Sequence, residues 1–475
     1  MSESQMVQRV VVVGGGISGL ATAFRLRELA AERGTALEVI LLEAGARVGG
    51  ALHTIARDGF VMEAGADSFI SDKTDALDLA GQLGLEAELV GTLEAHRRAF
   101  VVHDGKLVEI PRGFALLAPS LLTPILATAL FTIPGKLRIL LEQMVKARRE
   151  GGDESLAAFI RRRLGPEALA RLVQPLAGGI YLADPETLSM RACFARFVAM
   201  EREYGSLTRA LRVLRKNRAG GAGGVRWNLF LSFRDGMATM VHALERSLGA
   251  VIRRGADVAE ISRRGPGWTI ATRDGSTIEA AAVICAAPAY VAARLVKGSI
   301  PPLSRALAEI EYASSATVNL AYDAGALGAL PDGFGVLMPA IERRRVAAFS
   351  FSSLKFLNRA PDGKFLMRAF VGGALNPELM RLEAEAMVDV VREELRDLLG
   401  IRTAPLFTHV WRWLDSMPQY KLGHLERVAA IEAQTAELAG FALAGAAYRG
   451  VGIPDCVRSG KLAAELVFSQ LAPRD

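Results

Sequence analysis

Three glycines near the N terminus, Gly14, Gly16 and Gly19, have the spacing G-x-G-x-x-G, and Glu43 follows 24 positions after the last of them. Glycines at this spacing permit a tight turn, let a pyrophosphate approach the backbone and allow a helix to pack closely on a strand. An acidic residue at about this distance accepts hydrogen bonds from the ribose hydroxyls of an adenine dinucleotide. The pattern predicts a dinucleotide-binding site, for which an ordinary glycine-rich loop is the alternative.

The elements that must position these residues occur in the required order. Arg9 to Val13 is a β-branched run typical of a buried parallel strand. Ile17 to Ala31 has apolar residues at helical spacing, and Val39 to Leu42 is a second apolar run that ends at Glu43. The sequence contains no second glycine motif of this type coupled to a strand. A reductase with two dinucleotide sites is therefore not expected, and the organic substrate is the expected source of electrons.

The chain has 475 residues, 51% of them hydrophobic, and a formal net charge of +6. This length allows a large core and two or three domains. The modest positive charge suits an anionic substrate or anionic lipid, and no basic–aromatic stripe suggests nucleic acid as a partner. Three scattered cysteines and six scattered histidines indicate no disulfide framework, no metal site and no catalytic base. Because no secretory signal opens the chain, a cytoplasmic location is expected.

An uncharged stretch of twenty residues runs from Phe114 to Ile133. It is long enough to span a bilayer, but Pro119 and Pro124 divide it into short pieces, which disfavours a straight spanning helix. Basic residues flank the stretch, and the segment after it has apolar residues on one face, as in an element lying in the headgroup interface. We expect peripheral contact with anionic membrane, at the inner face of the cell membrane. Buried helices lining a hydrophobic pocket and a true span are the alternatives.

The residues after Glu43 resemble the flavoprotein amine oxidase superfamily. They read EAGARVGG from Glu43 to Gly50 and, further on, EAGADS from Glu63 to Ser68. The resemblance implies FAD as the cofactor. It also implies that Arg47 steadies the pyrophosphate and that the Gly49–Gly50 turn runs near the flavin.

The C-terminal stretch from Ala444 to Gly460, AGAAYRGVGIPDCVRSG, resembles the signature of the oxygen-dependent protoporphyrinogen oxidase family. The segment PQYKLGH from Pro418 to His424 is similar to another part of that family, and the similarity runs over nearly the whole chain. The resemblance implies a six-electron, FAD-dependent oxidation of protoporphyrinogen IX to protoporphyrin IX in haem biosynthesis. O2 would be the acceptor and H2O2 a product. Homodimer formation is left open.

The family positions for FAD fall on residues from both ends of the chain. The position of Val258 implies a backbone contact with the adenine. Near Pro454 the sequence predicts a helix start with Asp455 as a cap, whose dipole would favour an anionic reduced flavin. The implied cofactor-binding residues are Gly14, Gly15, Gly16, Ile17, Ser18, Gly19, Glu43, Arg47, Gly49, Gly50, Ala51, Gly65, Ala66, Asp67, Ser68, Val258, Ala446, Val451, Gly452 and Ile453.

Four substrate-binding residues are implied by the same resemblance. Arg98, in a strand predicted from His96 to His103, would pair with a propionate, although a strand-edge surface arginine is the alternative. Phe334 and Leu337 would sandwich the tetrapyrrole, or else belong to the core. Asp67 stands where some relatives carry Asn beside the flavin. Because its charge would repel a propionate, we expect it to be protonated, to be turned away, or to mark an altered substrate preference.

The fold class implied is α/β, of the α+β multidomain kind. It combines a glutathione-reductase-type FAD-binding Rossmann domain with a mixed or antiparallel-sheet substrate domain and a helical membrane-binding domain. The longer strands after Ser314 independently predict a separate sheet. The FAD-binding domain is expected at 1–95, 225–300 and 425–475, the substrate domain at 96–112 and 301–424, and the helical membrane-binding and substrate-entry domain at 113–218.

Three other functions stay open. The chain could oxidise coproporphyrinogen III, whose four propionates would call for more cationic groups around the pocket. It could be an amine oxidase of the same fold, although no cysteine between Cys285 and Cys456 offers a flavin linkage. It could also be a non-catalytic FAD-binding scaffold for haem assembly.

Overall fold

A computed structural model gives the fold of residues 7–148, 151–220 and 229–471. The strands in chain order are β1 (Gln8–Val13), β2 (Leu37–Glu43), β3 (Thr54–Arg57), β4 (Phe60–Glu63), β5 (Phe69–Ile70), β6 (Leu89–Gly91), β7 (Phe100–His103), β8 (Lys106–Glu109), β9 (Phe114–Ala115), β10 (Ala118–Pro119), β11 (Phe230–Phe233), β12 (Ile252–Arg254), β13 (Val258–Arg264), β14 (Gly267–Thr272), β15 (Thr277–Ala280), β16 (Ala282–Cys285), β17 (Tyr312–Asp323), β18 (Gly335–Leu337), β19 (Val346–Ser350), β20 (Lys364–Gly372), β21 (Phe407–Pro418) and β22 (Phe441–Leu443).

The α-helices in chain order are α1 (Ile17–Arg33), α2 (Asp75–Gln82), α3 (Thr123–Ala127), α4 (Ile133–Leu140), α5 (Leu156–Arg163), α6 (Pro166–Ala168), α7 (Gln174–Tyr181), α8 (Met190–Cys193), α9 (Ala195–Tyr204), α10 (Leu207–Gly220), α11 (Ala238–Leu248), α12 (Ala289–Leu295), α13 (Pro301–Ala308), α14 (Ser352–Lys355), α15 (Ala384–Leu399), α16 (His424–Ala436) and α17 (Ile453–Leu471).

The first strand, β1, is the middle strand of a five-stranded sheet with the order β12-β2-β1-β16-β22. All its pairings are parallel, and Val10 lies opposite Val39 on one side and Ala282 on the other. Val11 and Val12 have no exposed surface, as expected of a parallel sheet covered on both faces. Helices α1, α11 and α17 cover one face, and β13, β14 and α12 cover the other. The predicted order of strand, helix and strand is confirmed.

The longer strands predicted after Ser314 belong to a seven-stranded sheet with the order β21-β17-β20-β19-β18-β7-β8. Neighbouring strands are antiparallel apart from β7 and β18, which run parallel. The sheet is therefore mixed, which is one of the two arrangements predicted. Helix α15 buries Met387, Val391 and Leu395 against it. Strands β7 and β8 reach this sheet from a much earlier part of the chain.

The strand predicted from His96 begins only at Phe100. The residues before it turn back on themselves, because the Arg98 N–H donates to the His96 carbonyl at 2.6 Å. Pairing with the parallel neighbour starts at Phe100, opposite Val336. Arg98 is therefore a loop residue whose carbonyl accepts a 2.7 Å hydrogen bond from the Phe334 N–H.

The uncharged stretch from Phe114 to Ile133 folds as β9, β10 and α3 instead of one long helix. Its side chains divide into two groups: Leu117 and Ile125 have no exposed surface, whereas Leu126 and Ile133 are 51% and 75% exposed. Within the described residues, no helix combines the length and the apolar character needed to cross a membrane. The stretch thus supplies both a buried cluster and an exposed apolar surface.

The fold class is confirmed as mixed α/β, with a Rossmann-type parallel sheet, a mixed sheet and a helical region. The assignment of these parts to an FAD-binding, a substrate and a membrane-binding domain remains a proposal. Its ranges include residues 1–6, 149–150, 225–228 and 472–475, which lie outside the described residues.

Candidate functional site

Three glycines with different surroundings shape the turn between β1 and α1. Gly14 has φ +107°, and a Cβ there would lie 3.0 Å from the Ala286 carbonyl carbon. A Cβ on Gly19 would lie 1.9 Å from the Gly14 oxygen, so this position lets helix and strand approach. A Cβ on Gly16 would meet no atom within 4 Å. The middle glycine therefore borders open space in which a ligand can contact the backbone.

Helix α1 presents an uncapped N terminus to the same space. Its N-cap residue, Gly16, makes no side-chain hydrogen bond, and its first turn contains no acidic residue. The aligned peptide dipoles of its 17 residues favour an anion there. At the end of β2, the Glu43 carboxylate accepts hydrogen bonds of 2.7 Å from the Gly15 and Gly45 N–H groups. These bonds fix the carboxylate beside the glycine turn.

A cavity of about 390 Å³ opens at this turn, at the carboxyl ends of the parallel strands. Ligands of open α/β sheets bind at this edge. The predicted cofactor residues that line it are Gly14, Gly15, Gly16, Ile17, Ser18, Glu43, Gly50, Ala51, Val258 and Ala446. The predicted cofactor residues outside its lining are Gly19, Arg47, Gly49, Gly65, Ala66, Asp67, Ser68, Val451, Gly452 and Ile453.

Residues of the mixed sheet also line the cavity, and none of them was among the predicted cofactor-binding residues. Tyr312 begins β17, and Ser416 and Pro418 end β21. The pairing of Tyr312 with Pro418 brings these two strand ends together. Pro418 opens the PQYKLGH segment, but no local signal marks Tyr312 or Ser416, because they reach the cavity only through the tertiary structure.

Arg47 braces the second glycine turn. Its guanidinium donates to the Gly50 carbonyl at 2.8 Å and lies 5.6 Å from the centre of the Trp411 ring. Gly49 has φ +103° and donates its N–H to the Gly15 carbonyl at 2.8 Å, which ties this turn to the first one. Burial lowers the pKa of Arg47, and the neighbouring Glu43 opposes that change. The structure thus places Arg47 behind the turn and outside the cavity wall.

Asp67 is surrounded by cations. Lys355 Nζ lies 2.9 Å from both carboxylate oxygens, and Arg368 lies 2.9 Å from one of them. Burial would raise the pKa of Asp67, but the attraction of Lys355 and Arg368 outweighs it and holds this pKa far below its usual value. Of the three expectations for Asp67, the protonated form is therefore wrong, and the carboxylate turns toward its two partners.

The remaining substrate candidates lie together around β7 and β18. The Arg98 guanidinium forms an ion pair with Asp332, which also contacts His96 Nδ1 at 2.5 Å. Phe334 and Leu337 are both half-buried. A Cβ added to Gly179 would lie 3.9 Å from the Leu337 side chain. Arg98 and Phe334 are thus joined through their backbones, while the Arg98 side chain already has a partner.

The C-terminal loop is held by Tyr420, from the PQYKLGH segment. Its hydroxyl donates to the Ala446 carbonyl at 2.6 Å and accepts from the Gly450 N–H at 2.7 Å. The expectation that Asp455 caps the following helix is wrong. Its carboxylate instead accepts hydrogen bonds from Lys73, at 2.6 and 2.8 Å, and from Arg458 at 2.6 Å.

The chemistry of this cavity fits the adenosine diphosphate part of FAD. Gly16 offers an unobstructed backbone, α1 offers an uncapped N terminus, and Glu43 offers a fixed carboxylate. These are the groups that a pyrophosphate and a ribose require. Val258, 7% exposed at the start of β13, lines the same space.

Comparison with known proteins agrees with this geometry. Residues 17–468 match the family described as Flavin containing amine oxidoreductase. The chain is 33% identical over 462 residues to the coproporphyrinogen III oxidase of Bacillus subtilis, with 96% of this chain and 97% of that protein covered. It is 31% identical over 501 residues to the protoporphyrinogen oxidase of Homo sapiens, with 98% and 99% covered.

A crystal structure from Exiguobacterium sp. 255-15, provisionally named a protoporphyrinogen oxidase, has a TM-score of 0.86 and 30% identity, covering 98% of this chain and 99% of that one. The chain therefore belongs to the flavin-containing amine oxidoreductase family and, within it, to the porphyrinogen oxidases, and it is an FAD-dependent oxidoreductase.

Proposed function

We propose that the chain oxidises coproporphyrinogen III to coproporphyrin III by removing six electrons. The observation that carries this choice is the cluster of Asp67, Lys355 and Arg368, in which two cations face one carboxylate. Its surplus positive charge suits a substrate with four propionates better than protoporphyrinogen IX, which has two. The name of the relative from Bacillus subtilis agrees with this choice.

Within the cluster, Lys355 is the cation available to a substrate. Its ammonium has three donors and its side chain is 17% exposed, against 4% for Arg368. Arg368 is engaged elsewhere, because it donates to the Gly65 carbonyl at 2.6 Å and to the Glu63 carbonyl at 3.2 Å. Lys355 can therefore hold Asp67 and still offer a hydrogen bond to a propionate.

The glycine turn and the N terminus of α1 would hold the pyrophosphate of FAD, and Glu43 its ribose. Bound FAD supplies the redox chemistry, by accepting the electrons of substrate oxidation and passing them to O2, the acceptor that we propose. Phe334 and Leu337 would hold the apolar macrocycle, while Arg98 and Lys355 would pair with its carboxylates. The side chains thereby position the substrate and exclude water from it.

Protoporphyrinogen IX is the second candidate. The half-buried pair Phe334 and Leu337 favours it, because two vinyl groups make this substrate more apolar than coproporphyrinogen III. The human relative carries its name. The two candidate substrates differ in charge, so a substitution of Lys355, the cation next to Asp67, should affect them differently.

The test is anaerobic reduction of the yellow FAD-loaded protein, followed at 450 nm. Coproporphyrinogen III should bleach the flavin with a second-order rate constant at least tenfold above that for protoporphyrinogen IX. The reverse ratio would support the second candidate. Bleaching by a primary amine alone would identify an amine oxidase, and no bleaching by any of the three would indicate a non-catalytic scaffold.

Lys355→Gln is the informative variant. It should raise KM for coproporphyrinogen III by about tenfold, because a charged hydrogen bond contributes roughly 1.5–3 kcal/mol. KM for protoporphyrinogen IX should rise less. Lys364→Gln is the matched control, since Lys364 lies on β20 with Arg368 but pairs with the exposed Asp323. Equal effects of the two variants would contradict a role for Lys355 in substrate binding.

We also propose that an apolar face built by α3, α4 and the turn after them contacts anionic membrane. Its members are Leu126, Ile133, Leu137, Leu141 and Met144, which are 49–79% exposed. Glu142 anchors the turn, because its buried carboxylate pairs with Arg163 and accepts a 2.9 Å hydrogen bond from the Leu207 N–H. Neighbouring Leu141 and Met144 are thereby held toward solvent, and the basic Lys136 of the same face donates to the Leu126 carbonyl at 2.8 Å.

Co-sedimentation with vesicles tests this contact. The protein should bind vesicles that contain phosphatidylglycerol more strongly than pure phosphatidylcholine vesicles, and the double variant Ile133→Ser/Met144→Ser should lose most of this binding. The control is Leu462→Ser/Leu466→Ser, which removes exposed leucines of α17. Unchanged binding of the first variant would refute the apolar face as the contact.

The oligomeric state also remains a prediction. Light scattering on the FAD-loaded protein after size exclusion tests for a homodimer.

A further inference from the structure

A second cleft, of about 400 Å³, lies between the end of β17, the solvent-facing side of α15 and the segment after α15. Asp389, Arg392, Glu393 and Arg396 line it from α15. Their spacing of three or four residues places them on one face of the helix. Arg402 lines the cleft from the following segment. Three arginines therefore line one space.

The positive charge of this cleft is only partly neutralised. Glu393 forms an ion pair with Arg345, which lies outside the lining, and Arg396 pairs with Asp397 at 3.2 Å. In the part of the chain that the structure describes, Arg392 and Arg402 have no ion-pair partner. Asp389 is the other carboxylate among the lining residues, besides Glu393. The cleft thus keeps a surplus of positive charge.

Tyr322 provides an independent sign of a ligand. It lies near the end of β17, is 1% exposed, and lines the cleft. Its hydroxyl is buried and has no hydrogen-bond partner among the described residues. Burial raises its pKa to about 12, against the effect of Arg392, so the hydroxyl keeps its proton at neutral pH. Buried hydroxyls are nearly always hydrogen-bonded, so this donor lacks an acceptor.

We propose that this cleft binds a phosphoryl group, either as inorganic phosphate or as the terminal group of a small phosphomonoester. Arg392 and Arg402 pair with its oxygens through their planar forks, and the Tyr322 hydroxyl donates to a third oxygen. Donors that converge from a strand, a helix and a loop suit a tetrahedral dianion, whereas one arginine fork satisfies a planar carboxylate. The volume is in the range of small-molecule sites, so an organic group fits beside the phosphoryl.

The cleft is remote from the FAD cavity. Tyr312, at the start of β17, lines the FAD cavity, and Tyr322 lies ten residues further along the same strand. At the rise of an extended strand this is roughly 33 Å. Binding of a phosphoryl group can therefore be measured with FAD in place, and it does not depend on which porphyrinogen is oxidised.

Calorimetric titration of the FAD-loaded protein tests the proposal, with inorganic phosphate in one arm and glycerol 3-phosphate in the other. Both should bind saturably without a change in absorbance at 450 nm. Tighter binding of the ester would identify a phosphorylated metabolite as the ligand, and equal affinities would identify free phosphate. Arg392→Gln and Tyr322→Phe should each weaken binding, the former by about tenfold or more.

The matched control is Arg381→Gln, because Arg381 is an exposed arginine of the same part of the fold and lies outside the cleft lining. Turnover of the porphyrinogen should be the same in all three variants, which separates this proposal from the proposed function. The absence of saturable heat, or an affinity that neither Arg392→Gln nor Tyr322→Phe changes, would overturn the phosphoryl site.

Discussion

The Tyr420 hydroxyl donates a 2.6 Å hydrogen bond to the carbonyl of Ala446, a residue that lines the cavity at the glycine turn. The same hydroxyl accepts from the Gly450 N–H, so one ring fixes two points of the loop between β22 and α17. The ring is 1% exposed and stacks on His424 with 3.8 Å between ring centres. Burial raises the pKa of Tyr420, which keeps its hydroxyl protonated as a donor.

Tyr420→Phe should weaken FAD binding by about tenfold, because two hydrogen bonds of roughly 1 kcal/mol each no longer hold the loop. Flavin fluorescence on dilution reports the released FAD and gives the dissociation constant. Tyr204→Phe, at the end of α9, is the control and should bind FAD like the unchanged protein. Equal dissociation constants for the two variants would show that the loop does not depend on Tyr420.

Two alanine substitutions in the glycine turn should have different effects. Gly19→Ala places a Cβ 1.9 Å from the Gly14 oxygen, so it should lower Tm even without FAD. Gly16→Ala meets no protein atom, so it should keep the Tm of the apoprotein but weaken FAD binding at least tenfold. Thermal unfolding with and without FAD separates the two effects. Normal FAD affinity of Gly16→Ala would place the pyrophosphate elsewhere.

Substitutions of Arg98 and of its ion-pair partner Asp332 should have different effects on KM. Arg98→Ala should raise KM for the porphyrinogen by about tenfold if Arg98 binds a propionate, since a charged hydrogen bond is worth roughly 1.5–3 kcal/mol. Asp332→Ala frees the guanidinium and should leave KM unchanged or lower it. Steady-state kinetics checks both. An unchanged KM in Arg98→Ala would show that Arg98 pairs with Asp332 and does not bind the substrate.

Glu63 should make stability depend on pH. It is 4% exposed, and burial raises its pKa to about 7, although the Met237 N–H, Arg359 and the Thr54 hydroxyl oppose the rise. The native state therefore holds a proton that the unfolded chain releases. Its contribution to the free energy of unfolding is full below about pH 4.5 and is lost as the pH rises through 7.

Glu63→Gln should remove this loss. Relative to the unchanged protein, the free energy of unfolding of the variant should increase between about pH 4.5 and 7, by up to about 3 kcal/mol. Urea unfolding at several pH values measures the difference. Glu385→Gln, at the exposed start of α15, should show a difference that does not vary with pH. If the difference for Glu63→Gln also did not vary with pH, Glu63 would be ionised in the native state over the whole range from about pH 4.5 to 7.

Local patterns were sufficient to predict the dinucleotide-binding turn, while the family resemblance indicated that the dinucleotide is FAD. The glycine turn, the helix after it and the strand ending at Glu43 contact one another within a few dozen residues of chain. The glycine turn depends on space around the backbone, and the helix and strands depend on the spacing of apolar residues. Both properties can be read from the residue types in a short stretch of sequence. The longer strands after Ser314 likewise predicted a separate sheet, mixed or antiparallel, because strand-forming runs are also a local property.

The substrate side could not be predicted in this way. Asp67 looked like a repulsive carboxylate, but Lys355, its ion-pair partner, lies 288 positions away. Arg98 looked free, but Asp332, 234 positions away, occupies its guanidinium. Charges act through space with little dependence on sequence separation. The sequence by itself therefore determined the cofactor and the layered fold, whereas only the tertiary structure decided which charges are paired and which remain available to a ligand.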